Sequence, residues 1–429
     1  MKNMRTKDWR TQFRLMDALA VRRQEMNEFT QELVAIPTEN PPGRAYPACV
    51  RAIARKLRQL KLPCEILDIP AAAALRRPDS AKSDGHAVLQ FIRSFYGRSS
   101  YGRGKKTLYF HGHYDVVPAQ STAQFRPRVH LGKLIGRGAS DMKSGLAAMI
   151  FAVHALKECG IELDGRVALL LVPDEETGGA AGSASLARAG ILGANGIAMF
   201  TAEPTGGVIW NANRGALSLR VTVKGRAAHV GLQHMGSNAF EKMLVVMDAL
   251  RALKTKVEAR KTKFNIHPAA ARHSILMLGG RAQGGENFNV LPAEFSFTLD
   301  RRINPEEDLS VEKAAIFAVL KKCRRKGIQL DVEIIQEGIA AGVYSTHSTA
   351  RMLAESVNAV TGKPARMEMC PGLLENRFYA ALGIPAMAYG PGLLTVSHGP
   401  HEFVPLARIS ECAAIYALAA ARILAPRSH

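Results

Sequence analysis

The sequence predicts an α/β domain with a mixed, mostly parallel sheet, interrupted by a smaller α+β domain of the split βαβ type. Three observations carry this reading. Residues 167–172 form an unbroken apolar run, as a strand buried on both faces requires. Segments with helical and with strand periodicity alternate around it, which implies crossover connections and a parallel sheet. Between residues 217 and 335 the rhythm changes to strands that alternate apolar and polar positions, with two helical segments among them.

From the N-terminus onward, apolar residues recur at helical spacing over 23–36, and Pro37, Asn40, Pro41, Pro42 and Gly43 end that helix in a rigid loop. A helix over 45–60, a strand near 64–67 and an apolar strand over 107–110 follow. Residues 141–160 carry a helix and 167–172 the buried strand. Residues 210–215 mark the change of pattern. The inserted block then reads as a strand at 217–223, a helix at 238–254, strands at 274–278 and 293–299, a helix at 310–326 and a strand at 330–335. After Gly338 the α/β character returns, with a helix at 348–360, a strand at 384–389 and a last helix at 409–424. The expected division is therefore 1–214 and 337–429 for one domain and 215–336 for the insert, without internal repeats or low-complexity tracts.

Composition narrows the class of function. The chain of 429 residues is 47% hydrophobic and 22% charged, which excludes a collagen-like or disordered protein. Its 57 Lys and Arg outnumber 37 Asp and Glu, a net charge of +20 that attracts anions at long range. The charge by itself leaves nucleic acid, an acidic membrane surface and small carboxylate substrates open; basic residues such as Arg51, Arg166, Arg251 and Lys321 are spread along the chain without a nucleic-acid-binding motif, which argues against nucleic acid. The six cysteines lie far apart with no CxxC pair, which argues against a disulfide scaffold or a thiolate metal site and for a reducing compartment. Residues 1–23 contain no apolar run fit for a signal peptide, and no segment has about 20 apolar residues in a row. The expectation is a soluble, cytoplasmic protein without a membrane partner.

Chemistry-bearing residues gather where strands end. His113 and Asp115, two apart after the 107–110 strand, share a face if the chain is extended, so Asp115 can orient the imidazole toward a metal; a hydrogen-bonded core histidine is the plainer alternative. Asp141, just before a helix, fits an N-cap, and equally a carboxylate bridging two metals. Asp174-Glu175-Glu176 follows the buried strand, where one acid can bind metal while its neighbour takes a proton from the attacking water. Glu203 and His398 lie in further loops. Two histidines and several carboxylates, all placed at strand ends of one sheet, form the donor set that a pair of zinc ions takes.

Five motifs in order make the chain recognisable: Gly-His-Tyr-Asp-Val-Val-Pro at 112–118, Gly-Arg-Gly-Ala-Ser-Asp-Met-Lys at 136–143, Asp-Glu-Glu-Thr-Gly-Gly at 174–179, Glu-Pro-Thr at 203–205, and Ser-His at 397–398 ahead of Glu402. The sequence resembles the dinuclear zinc hydrolases that include acetylornithine deacetylase, succinyl-diaminopimelate desuccinylase, aminoacylase and glutamate carboxypeptidase, over nearly its whole length. The resemblance implies a zinc-peptidase-like catalytic domain interrupted by a dimerisation or lid domain. It implies that His113, Asp141 and Glu203 bind one zinc and Asp141, Glu176 and His398 the other, with Co2+ or Mn2+ as substitutes. Glu175 then matches the general base and Asp115 the acid that clamps His113. His229 matches a lid histidine that completes the active site of a second subunit in a homodimer. Asn289, Arg302 and Arg377 match residues near the substrate carboxylate.

The activity so implied is hydrolysis of the amide bond in an N-acyl-amino acid or small peptide-like carboxylate, with cleavage of a carbamoyl or arylamine C–N bond as the alternative on the same metals. Departures from the family pattern are Ala202, where Gly is common before the ligand Glu, and His401, where Asp or Asn is common before Glu402. The 371–377 segment also differs from the Gly-rich, Asp-containing loop of the best-known deacylases. His111, His234 and His401 read as structural, or as supports behind the ligands, rather than as primary ligands. An exposed strand at 217–223 is the expected site of pairing with a two-fold mate.

Overall fold

The structure is a computed structural model that describes residues 2–69, 90–97 and 106–426. In chain order the helices are α1 (Lys2–Val21), α2 (Arg23–Val34), α3 (Tyr46–Gln59), α4 (Ser144–Glu158), α5 (Ser183–Arg188), α6 (Ala239–Glu258), α7 (Leu309–Arg325), α8 (Ser348–Thr361), α9 (Asn376–Ala380) and α10 (Leu406–Ile423). The strands are β1 (Glu65–Asp68), β2 (Gln90–Gly97), β3 (Thr107–His113), β4 (Arg128–His130), β5 (Lys133–Ile135), β6 (Arg166–Val172), β7 (Gly196–Thr201), β8 (Ile209–Asn213), β9 (Gly215–Lys224), β10 (Ile275–Gly284), β11 (Glu294–Ile303), β12 (Leu330–Gly338), β13 (Ala341–Gly342), β14 (Met367–Cys370), β15 (Ala386–Ala388) and β16 (Phe403–Pro405). Two compact units result, one of Met1–Asn211, Val343–Met367 and Phe378–His429, the other of Ala212–Gly342 and Glu368–Arg377.

The first unit is built on a sheet in which β1, β2, β6, β3, β7, β15 and β8 lie side by side. Its centre, β6-β3-β7-β15, is parallel, and β2 and β8 join it antiparallel on either side. Both faces of the centre are covered. Leu108, Phe110, Val167, Leu169 and Leu171 point into a core shared with Met149, Phe151, Ile415 and Tyr416 of α4 and α10. The alternate residues Tyr109, Ala168, Leu170 and Val172 pack with Leu186 and Tyr379 on the other face. Such double burial is why 167–172 has no polar position to betray its strand period.

Register aligns the strand ends. His113 at the end of β3 pairs with Val172 at the end of β6, and Thr201 at the end of β7 pairs with His111 and with Ala388 of β15. The loops leaving β3, β6 and β7 therefore emerge together, the position where parallel sheets hold ligands.

Several elements carry no sequence expectation of their own. In α1, Leu15 and Leu19 are buried while Trp9 and Phe13 are exposed, so apolar residues occupy both sides of the helix and the amphipathic signal vanishes. The short strands β4, β5 and β16 form a separate small sheet and carry too few residues to show a period.

The second unit is a four-stranded antiparallel sheet, β10-β11-β9-β12, with α6 and α7 on one face. Leu217, Leu219, Val221 and Val223 of β9 bury one side against Val246, Leu250, Ile316 and Leu320. Asn238 caps α6 and Asp308 caps α7, each accepting from two backbone N–H groups. The expectation of an exposed strand at 217–223 is corrected here: β9 lies between β11 and β12, and the sheet edges are β10 and β12. Alternation alone signals one buried face and says nothing about lateral neighbours. Residues 368–377 also join this unit, which the boundary expected at 215–336 leaves out, because their link to it is made through space rather than along the chain.

Beneath α7 the buried Arg301 guanidinium pairs with Glu307 at 2.8 Å and with Glu312 at 2.9 Å, and Arg260 joins the same two acids. Burial opposes ionisation of Glu312, but Arg260 and Arg301 outweigh it and hold its carboxyl below the ordinary range. A lowered folded value means that its contribution is present above the unfolded carboxylate range and is lost as pH falls through the lowered value. Glu312→Gln is expected to flatten the acid side of the stability profile below about pH 5, and Glu312→Ala to cost about 3 kcal/mol, both read from denaturant melts.

Candidate metal centre

Five segments of the first unit bring the chemistry together. His113 closes β3, Glu175 and Glu176 form a single turn after β6, Glu203 follows β7, and His398 lies between β15 and β16. Asp141 arrives from the irregular turn at Ala139–Lys143. The N-cap reading of Asp141 fails: α4 begins at Ser144, its N-cap position is Lys143, and no side chain caps it.

Close packing makes this convergence possible. A Cβ on Gly145 would lie 2.3 Å from the Ala202 side chain and 2.8 Å from its carbonyl oxygen, so only glycine lets the start of α4 meet the Glu203 loop. The space that Ala202 takes, in place of the family's usual glycine, is yielded by Gly145. Lys143, fully buried, donates to the carbonyls of Leu33 at 2.9 Å and Ile36 at 2.7 Å, tying the turn to the end of α2. Burial pulls its pKa down to about 8.

The donor atoms form two groups that share Asp141: His113, Asp141 and Glu203 in one, Asp141, Glu176 and His398 in the other, each gathered within 4.8 Å. His113 Nε2 lies 3.3 Å from Asp141 Oδ1, and His398 Nε2 lies 3.3 Å from both Asp141 Oδ2 and Glu176 Oε2. Bonds of about 2.0–2.1 Å in a tetrahedral site set neighbouring donors about 3.3 Å apart. His113 Nε2, Asp141 Oδ1 and Glu176 Oε1 are buried without a hydrogen-bond partner, the condition that a coordinated cation relieves. The residues therefore fit a two-metal centre.

Their protonation follows from crowding. Burial works against the His113 imidazolium, yet Asp115 and Asp141 outweigh it and raise its pKa well above the usual range. Asp141 and Glu176 raise His398 to about 10. Burial would push Asp141 up, but the two imidazoles hold it far below the carboxylate range. In Glu176 burial prevails and the pKa rises.

Asp115 has a broader task than the spacing suggests. His113 Nδ1 lies 3.0 Å from the Asp115 main-chain oxygen and 3.4 Å from Oδ1. Its two carboxylate oxygens also accept from the backbone N–H groups of Glu175 and Glu176, each at 3.2 Å, and Oδ2 accepts from the Asn40 amide at 2.8 Å. Asn40 reaches on to Asp174 Oδ1 and the Thr177 hydroxyl, and Asp174 Oδ2 accepts from Ala181 N at 2.8 Å. Asp174 is thus the acid that shapes the turn. Asn40 was missed as a site residue because its Pro-Pro context reads as a helix stop. His111 is held between the Ser183 and Tyr379 hydroxyls, each 3.1 Å away, as its structural reading requires.

Four expected site residues belong to the second unit. His229 is exposed, its Nδ1 accepts from Gly231 N at 3.1 Å, and it bridges to Val290 in strand fashion. Asn289 beside it keeps a buried Oδ1 without a partner. The Arg302 guanidinium is paired with Asp300 at 2.6 Å, and Arg377 is buried and donates to the Leu374 carbonyl at 2.9 Å.

Residues 109–422 match peptidase family M20/M25/M40. The chain belongs to this family. The succinyl-diaminopimelate desuccinylase of Nitrosomonas eutropha is 29% identical over 330 residues, spanning 73% of this chain and 82% of its own. That of Alkalilimnicola ehrlichii is 27% identical over 383 residues, 86% of this chain and 92% of its own. Among solved structures, aminopeptidase PepT of Bacillus cereus superposes with a TM-score of 0.72 at 18% identity, over 94% of this chain and 98% of that one. A dinuclear metal-binding peptidase of the M20 family from Bacillus subtilis gives 0.64 at 15% identity, over 94% and 99%. This M20/M25/M40 member is accordingly a metal-dependent hydrolase acting on amide bonds. No described helix is long and apolar enough to cross a membrane.

A pH dependence of metal uptake follows from the histidines. Because the neighbouring acids raise both His113 and His398 in the metal-free site, a divalent cation competes with protons for the two imidazoles. Titrating the stripped protein with Zn2+ in weak buffer near pH 8 is expected to release about two protons per chain, with affinity falling as pH is lowered; uptake without proton release would contradict the charge balance described.

Proposed function

We propose that this chain hydrolyses the amide bond of a small N-acyl-amino acid or peptide-like carboxylate on a pair of zinc ions, as a deacylase, desuccinylase or carboxypeptidase. The observation that carries the reading is Asp141, whose two carboxylate oxygens each lie 3.3 Å from a different histidine, the arrangement of a bridging ligand. His113, Asp141 and Glu203 would hold one ion and Asp141, Glu176 and His398 the other. Nitrogen and oxygen donors without thiolate favour zinc and admit Co2+ or Mn2+. Bound ions would polarise the amide carbonyl and acidify the attacking water.

The protein's own groups do the rest. Glu175 stands in the same turn as Glu176 and contributes to the raised pKa of His113, so its carboxylate is near the centre without belonging to either donor group. In this reading Glu175 takes a proton from the attacking water and passes it to the leaving amine. Asp115, by accepting from the Glu175 backbone, fixes where that carboxylate stands. His229 of a partner subunit would stabilise the developing oxyanion, while Asn289, Arg302 and Arg377 would receive the substrate carboxylate. A homodimer is supported by apolar residues left exposed on α6, namely Phe240, Leu244 and Val245, and on the edge strand β10, namely Ile275 and Met277. Six cysteines without a disulfide support a reducing, cytoplasmic setting. The names of the desuccinylase relatives and the +20 charge both favour an anionic acyl substrate.

Glu175→Gln is expected to keep two metal ions per chain by elemental analysis and to lower kcat about 10²-fold to 10⁴-fold, whereas Asp141→Ala loses metal. The assay is a panel of N-succinyl and N-acetyl amino acids, dipeptides, N-carbamoyl amino acids and aromatic amides. Turnover confined to the last two classes would move the reading to another C–N bond. For the dimer, mixing inactive Glu175→Gln with inactive His229→Ala protein is expected to restore part of the activity through hybrid sites. No recovery after verified subunit exchange would remove His229 from a shared site.

A further inference from the structure

We infer that Arg137 is a positioning residue that makes occupancy of the Asp141–Glu176–His398 position depend on a buried clasp with Glu402, an inference that rests on the metal centre proposed above. Arg137 and Glu402 are both shielded from solvent, 1% exposed each, and their ion pair measures 2.6 Å between Nη1 and Oε2. The other carboxylate oxygen, Oε1, accepts from the backbone N–H groups of Gly138 at 3.0 Å, Ser140 at 2.9 Å and Asp141 at 3.1 Å. Those three donors are the turn that carries Asp141. The second arm of Arg137, Nη2, donates to the main-chain oxygen of His398 at 3.0 Å. One guanidinium thus connects the turn bearing the shared carboxylate to the loop bearing its histidine partner.

The His398 loop needs such a hold. His398 has φ +64°, a conformation that a residue with a Cβ rarely adopts, and its side chain is about half exposed at 49%, so little packing fixes it. Around the clasp, Gln124 donates to Gly399 O at 3.1 Å, and the Ser140 hydroxyl accepts from Leu393 N at 2.7 Å. These contacts anchor the flanks of the loop, and the Gly399 N–H donates to Val396 within the loop at 3.2 Å, but among the described hydrogen bonds only Arg137 reaches the His398 main-chain oxygen, and it does so from outside the loop. By contrast, His113 is the last residue of β3 and Glu203 stands two residues beyond β7, so the sheet itself sets where they start from. The clasp therefore acts on one position of the pair more than on the other. Lysine cannot replace it fully, since an ammonium can neutralise Glu402 but lacks the planar fork that spans both acceptors.

The test is a titration of metal-stripped full-length protein with Co2+, following both affinity and the visible absorption of the bound ion. Wild type is expected to take two equivalents. Arg137→Met is expected to keep one within about 3-fold and to weaken the other about 10-fold to 100-fold, the scale for losing a group that orients a ligand. Its one-equivalent spectrum should match that of His398→Ala, a signature that general destabilisation would not produce. Arg137→Lys should fall between, and it decides alone if Arg137→Met does not fold. Unchanged affinities, or equal weakening of both equivalents, would overturn the clasp. A wild type that binds fewer than two ions would instead overturn the metal reading on which it rests.

Discussion

Five carboxylates, Asp115, Asp141, Glu175, Glu176 and Glu203, converge at one end of a buried sheet, and holding them there is the constraint on which the site depends. Like charges in a poorly solvated place repel, and a lone buried carboxylate protonates rather than stays ionised. The molecule answers with donors of several kinds. Backbone N–H groups serve Asp115 and Glu402, the Asn40 amide serves Asp115 and Asp174, and two imidazoles flank Asp141. Among the candidate metal donors, His113, Asp141 and Glu176 each keep a buried atom without a hydrogen-bond partner, a demand that bound cations would meet.

The frame that bears this charge is apolar. Four parallel strands, covered on both faces, give a rigid platform whose ends are set by register rather than by the loops. Loops rooted on such a platform place side chains to within fractions of an ångström, which a two-metal site demands. Gly145 and Lys143 then adapt the α4 turn to the platform, one by yielding space and the other by gripping the end of α2.

Charge is arranged on two length scales. The chain as a whole carries +20, while its centre is a cluster of acids. The long-range field draws anions toward the body, and under the proposed function cations bound at the centre would make the approach of a carboxylate substrate favourable at close range. A basic chain around an acidic core is thus consistent with a hydrolase of anionic amides.

The sequence by itself determined the α/β body and its interruption by an α+β block, and it pointed, through its motifs and the resemblance they carry, to the candidate donor residues that the structure gathers into two groups. His113, Asp141, Glu176, Glu203 and His398 were legible because their spacing and order are specific as a set, though each alone is ordinary. Only the tertiary structure decided what those residues lean on. That Asp141 is no helix cap, that Asp115 holds the Glu175 turn as well as His113, and that Arg137 and Glu402 connect two distant loops are through-space facts: the last pair is separated by 265 positions in the chain. The placement of β9 at the centre of its sheet belongs to the same class. Periodicity reports which side of a strand is buried, and hydrogen bonds between strands are chosen by the fold.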